Sequence, residues 1–157
     1  MKLVKSKEMA WADAMQKGNF GQRRKELGKT GALSCGLWEL GPGKKSFPFH
    51  KHHVTEEALF VISGSAKVRS DGGLEAIGAG DWVGFPPGDA HQLINDGTEP
   101  FVYLAMGVNP AGVDIVEYPD SGKVASSIQQ GENRKRFIFK KDAEAGYFDG
   151  EKDAEAK

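Results

Sequence analysis

The sequence predicts an all-β fold, an antiparallel sandwich or barrel. Three observations carry that prediction. About eight or nine short apolar runs recur along the chain at regular spacing. Turn residues separate them, and glycine alone occupies 21 of the 157 positions. Nothing in the pattern suggests alternating strands and helices, and no internal repeat is evident.

The elements follow in order. Residues 1–29 are polar, with Met9, Trp11, Ala14 and Met15 as the apolar minority. Ser6 is placed to cap a short helix through Met15, with Gly18 ending it, and the segment reads as an arm lying outside the core. Leu33 to Leu40 reads as a strand, broken by Gly41-Pro42-Gly43. Phe47 to His52 alternates as a half-buried strand does, and Ala58 to Ile62 is a continuous apolar run for a strand covered on both faces. Gly64 turns the chain into a return strand, Ala66 to Arg69. Further strands are expected at Leu74 to Ile77, Trp82 to Phe85, His91 to Asn95, Phe101 to Val108, Asp114 to Tyr118 and Arg136 to Phe139. Residues 120–134 read as a loop, Lys141 to Ala145 has helical composition, and Glu151 to Lys157 is expected to fray.

Composition narrows the function classes. A net charge of −1 gives no electrostatic case for nucleic acid or an anionic membrane. The basic runs Arg23-Arg24-Lys25 and Arg134-Lys135-Arg136 are short, lie beside acidic residues and read as solvated surface. A single cysteine, Cys35, excludes an internal disulfide and reads as a small core residue. Met1-Lys2-Leu3-Val4-Lys5 lacks the apolar segment of a signal peptide, and no run has the length of a membrane span, so a cytoplasmic protein is expected.

All four histidines fall between residues 50 and 91, as His50, His52, His53 and His91. Residues two apart on a strand share a face, so His50 and His52 converge if that face is the interior. Glu56 or Glu57 then offers a carboxylate, and His91 follows the rigid turn Pro86-Pro87-Gly88. This mixed nitrogen and oxygen set suits a divalent transition metal ion, Fe, Mn, Ni, Co, Cu or Zn, better than Ca or Mg. His53 should face away, unless a bulge lets it replace His52. The competing reading is a metal-free pocket of hydrogen-bonding histidines.

Gly43, His50-Lys51-His52, Glu57 and Gly64 resemble the first motif of the cupins, a glycine, His-x-His, a glutamate and a glycine. Gly80, Pro86-Pro87-Gly88, His91 and Asn95 resemble the second motif at every position. One departure is the sixth residue between Gly43 and His50 where five are usual, which affects a turn more than a ligand. The resemblance implies His50, His52, Glu57 and His91 as ligands of one metal ion. It also implies a double-stranded β-helix, the jelly-roll barrel, and commonly a homodimer. On that reading residues 1–29 are an N-terminal arm, 30–118 the barrel and 119–157 a C-terminal extension completing the outer surface, in the manner of small bacterial single-domain members.

Such a site, with open metal positions, suits an enzyme acting on a small oxygenated metabolite, of dioxygenase, decarboxylase or isomerase type. The alternative is a cupin that binds or senses a small molecule without turnover. Trp82, Phe85, Phe60, Tyr103 and Met106 are candidate pocket residues, and Gln92 is a candidate for the mouth. Lys44, Lys45 and Arg69 are candidates for binding a carboxylate. Asn95 reads as structural.

Overall fold

The computed structural model of the chain describes residues 1–130 and 133–150. Thirteen strands run through them: β1 (Ala12–Lys17), β2 (Phe20–Thr30), β3 (Leu33–Leu40), β4 (Lys51–His52), β5 (Glu56–Ser63), β6 (Ser65–Ser70), β7 (Gly73–Gly78), β8 (Trp82–Phe85), β9 (Gln92–Ile94), β10 (Phe101–Val108), β11 (Val113–Tyr118), β12 (Lys123–Gln130) and β13 (Asn133–Lys140). Among the described residues helix is confined to three single 3₁₀ turns, at Ser6–Glu8, Pro119–Ser121 and Lys141–Ala143. No helix among the described residues is long and apolar enough to cross a membrane.

The strands form a six-stranded antiparallel sheet, β1-β2-β3-β10-β5-β8, packed against a second layer. That layer consists of a four-stranded sheet, β13-β12-β11-β4, and a three-stranded sheet, β7-β6-β9. The two parts meet where isolated bridges join Lys45 to Ile94 and His50 to His91. This is a double-stranded β-helix.

Alternation decides what fills the interior. Leu40, Leu59, Val61, Phe101 and Tyr103 point inward from the first sheet and meet Ala66, Val68, Ile77 and Leu93 from the second. A smaller cluster, Val116, Tyr118 and Ala125, closes the other end. The β5–β6 turn depends on glycine: Gly64 sits at φ +80°, and a Cβ there would lie 2.5 Å from the Pro100 carbonyl oxygen.

Several expectations need correction. Ser6 to Met15 is not a helix; a single 3₁₀ turn precedes strand β1. Strand β2 runs eleven residues and pairs with β3 along nearly its whole length. Its outer side is held by Trp11, whose ring lies under Arg23 and Lys25. Within the expected loop of residues 120–134, Lys123–Gln130 is a strand that pairs with both β11 and β13. The expected strand from Phe47 contracts to Lys51–His52, with single bridges at Lys45 and His50. Lys141–Ala143 makes one 3₁₀ turn in place of a longer helix. Cys35 is half-buried and borders the cavity described below, outside the buried core. Glu151 to Lys157 lies outside the described residues.

Candidate metal centre

His50 and His91 are brought together by backbone pairing. They exchange both hydrogen bonds of an antiparallel bridge, His91 N–H to His50 O at 2.8 Å and His50 N–H to His91 O at 3.3 Å. Directly opposed residues project to the same side, so the two rings lie 4.8 Å apart. Glu57 arrives from the facing sheet, where β5 pairs Glu57 with Gly107 and Phe85. Ligand atoms of His50, Glu57 and His91 all lie within 4.8 Å of one another. A nitrogen and oxygen donor set drawn this close could hold a shared metal ion after small side-chain adjustments.

His52 stands beside the group and not within it. Its Nε2 is 3.5 Å from Glu57 Oε2, and its ring centre is 5.1 Å from that of His50. Glu56 faces outward and is exposed, as adjacency to Glu57 requires. His53 is likewise on the surface, 2.8 Å from the Glu117 carboxylate.

The three imidazoles share one further feature. Each Nδ1 faces an oxygen that can only accept: Pro48 O at 2.8 Å for His50, Asp89 O at 3.1 Å for His91, and Asp114 Oδ2 at 2.5 Å for His52. His50 and His52 therefore carry the proton on Nδ1 and leave Nε2 as the donor atom for a metal, whereas His91 Nε2 already meets Glu57 Oε2 at 3.2 Å, a contact that an ion shared by the two would replace. This is the arrangement that a metal-ligating histidine requires, and the residues present fit such an ion.

Asp114 was not singled out in the sequence, yet it organises this corner. It also accepts from Thr55 Oγ1 at 2.7 Å and from the Val54 N–H at 3.1 Å. Its signal was an acid in the inward series Asp114, Val116, Tyr118 of an otherwise apolar strand.

Environment sets the charges. Burial, with the neighbouring His91 charge, pushes the His50 imidazole down to about 4. For Glu57, burial acts upward, but the His91 hydrogen bond and the charges of His52 and His91 outweigh it and hold the carboxyl below the usual range. Asp114 follows the same pattern: burial acts upward, and the His52 and Thr55 hydrogen bonds outweigh it. Burial raises the Tyr103 phenol far above its ordinary value, and the Glu57 charge adds to the rise.

The group opens into a cavity of about 350 Å³. Space exists because the inward positions of β3 and β10 are small. Gly36 opposes Ala105, and Ser34 opposes Gly107. A Cβ at Gly36 would lie 2.9 Å from Trp38 Nε1. Phe85 and Tyr103 contribute side chains to the lining; Phe85 stacks on His91 with ring centres 3.9 Å apart. Met106 also borders the cavity. Phe60 and Trp82, the other aromatic candidates, project outward from the first sheet. Gln92 is buried and donates to Phe47 O, away from the mouth. Lys44, Lys45 and Arg69 do not line the cavity; Arg69 is held by Asp120 in a two-bond pair. Asn95 is fully buried and structural, donating to Leu40 O and Glu99 O and accepting from the Gly97 N–H.

Comparison with known proteins agrees with this architecture. A family model described as a cupin domain matches residues 36–107. A glucose-6-phosphate isomerase of Thermococcus kodakarensis is 34% identical over 106 residues, covering 60% of this chain and 56% of that protein. The auxin-binding protein ABP19b of Prunus persica is 33% identical over 92 residues, covering 55% of this chain and 44% of that protein. The chain thus spans about half the length of the curated relatives it matches. Among solved structures, a protein of Acidithiobacillus ferrooxidans described as a sugar phosphate isomerase superposes with a TM-score of 0.80 at 27% identity, over 92% of this chain and 95% of that one.

Proposed function

Because the chain belongs to the cupin superfamily through residues 36–107, we propose that it is a metal-dependent isomerase acting on a phosphorylated sugar. The observation that carries this reading is the orientation of the three rings. Every Nδ1 is engaged by an acceptor, and every Nε2 is turned toward Glu57, with His91 Nε2 in contact with its carboxylate at 3.2 Å. The likeness to a glucose-6-phosphate isomerase, and to a solved structure described as a sugar phosphate isomerase, supports the substrate class.

On this reading His50, His52, Glu57 and His91 hold one divalent transition metal ion. Small rotations bring His52 Nε2 to the group from its place 3.5 Å from Glu57. When bound, the ion supplies Lewis-acid stabilisation of negative charge on sugar oxygens. The chain supplies the rest. Phe85, Trp38 and Leu59 exclude water from one wall of the cavity. Glu57 is ionised at neutral pH, and its Oε1 is the proton acceptor we assign. Aldose and ketose interconvert when a proton leaves the carbon beside the carbonyl and is delivered to the carbonyl carbon, while the proton of the adjacent hydroxyl moves in the same sense to the former carbonyl oxygen. No oxidant is needed.

The test is direct. Protein loaded in turn with each of the six metals is given glucose 6-phosphate or fructose 6-phosphate in deuterated water. Interconversion, or deuterium at the carbon-bound position, is expected with at least one metal. Metal-loaded protein that does neither removes the reading. A cupin that binds a small molecule without turnover is the second reading, supported by the likeness to an auxin-binding protein; it expects ligand stabilisation with no product.

We also take the chain to form a homodimer through the outer side of the first sheet. Leu33, Phe60, Ile62, Trp82 and Val108 are all exposed there.

A further inference from the structure

We infer that β2 supplies an anion subsite, built by Lys29 and Arg24, that holds the phosphate of the substrate at the far end of the cavity from the metal-compatible group. This rests on the isomerase reading for the nature of the ligand. The placement rests on the sheet itself.

Cross-strand partners share a face, and four strands align one row: Lys29 opposite Ser34, Ser34 opposite Gly107, and Gly107 opposite Glu57. Three strand spacings put Lys29 and Glu57 roughly 14 Å apart at Cα. The two positions between them carry only a hydroxymethyl group and a hydrogen, and the adjacent row carries Gly36 and Ala105. The result is a shallow trough with the metal-compatible group at one end and a lysine at the other. A short sugar chain fits along it with its carbonyl end at Glu57 and its phosphate at Lys29.

The far end is cationic. Lys29 lines the cavity and has no ion-pair partner among the described residues. Arg24 lines it as well, with its guanidinium 5.7 Å from the Trp38 ring centre, which fixes the direction of the fork. The Lys2 ammonium adds charge from outside, lying 2.6 Å from where a Cβ of Gly28 would stand. One acid opposes them: Glu26 pairs with Arg24 at 3.3 Å, and its side chain is 67% exposed, free to swing into solvent when an anion takes its place. All these residues precede the segment matched by the cupin model. The chemistry at the metal end and the recognition at the phosphate end therefore come from separate parts of the chain.

The experiment is calorimetric binding of inorganic phosphate and of fructose 6-phosphate to metal-loaded protein, with metal content and thermal midpoint measured for each variant. Lys29→Ala and Arg24→Ala are each expected to weaken both probes by about tenfold or more, as loss of a charge-assisted contact does. Metal content should be unchanged. Lys29→Arg should recover most of the loss, and Glu26→Gln should tighten binding by removing the competitor for Arg24. Affinity for fructose 6-phosphate within about twofold of the parent in both Lys29→Ala and Arg24→Ala overturns the subsite, and so does a parent protein that binds neither probe. A protein whose phosphate binding depends on Lys29, but which exchanges no carbon-bound proton, supports the subsite and removes only the isomerase reading.

Discussion

Asp114 holds the His52 ring by a single 2.5 Å contact, and that contact selects which ring nitrogen faces the cavity. Asp114→Asn should therefore lower metal affinity by about 10- to 100-fold without removing a ligand. His50→Ala or His91→Ala should abolish stoichiometric binding, whereas Lys51→Ala should leave it intact; elemental analysis after dialysis against competing chelator reads all four. The metal-free protein should also carry a pH signature. In the unfolded chain His50 takes up a proton near pH 6.5, but in the folded protein not until about pH 4. Between those values the unfolded state binds more protons, so folding stability falls as pH falls from 6.5 to 4. Urea midpoints across that window should decline, and His50→Gln should flatten the decline. At this scale the approach of His50, Glu57 and His91 to one another was legible from motif spacing, which also favoured Glu57 over Glu56, whereas the place of His52 beside that group was not. Asp114 was not, because its partner lies 62 residues away and nothing local marks the contact.

Strands that bury apolar side chains announced themselves; strands that line the cavity did not. Leu33–Leu40 and Phe101–Val108 have the bounds read from their apolar runs. The strand Phe20–Thr30 turns Arg24 and Glu26 toward the cavity, so its inward positions are charged and show no apolar period. The strand Lys123–Gln130 turns Ala125 and Ser127 inward, small residues that read as loop. Both strands are held by pairing with neighbours along most of their length, a non-local cause that a window of sequence does not contain. The turn between β5 and β6 is the element most sensitive to one change. Gly64→Ala meets both a left-handed backbone and the Pro100 carbonyl, and should cost about 2 kcal/mol or more in urea unfolding.

The whole molecule presents an apolar outer side on its first sheet, and Trp82 at 64% exposure is its most accessible member among the described strands. Sedimentation should report a dimer for the parent protein and a monomer for Phe60→Lys with Trp82→Lys, with metal content retained because both side chains point away from the cavity. Behind that sheet, the second layer is two pieces, a four-stranded and a three-stranded one, that touch along a seam of isolated bridges. His50 lies on one side of the seam and His91 on the other. An ion gripped by both rings acts as a rivet through the join, and withdrawing it should let the halves part first. Chelation should then raise hydrogen exchange at the His50 and His91 amides well before it loosens the interior near Leu40 and Phe101.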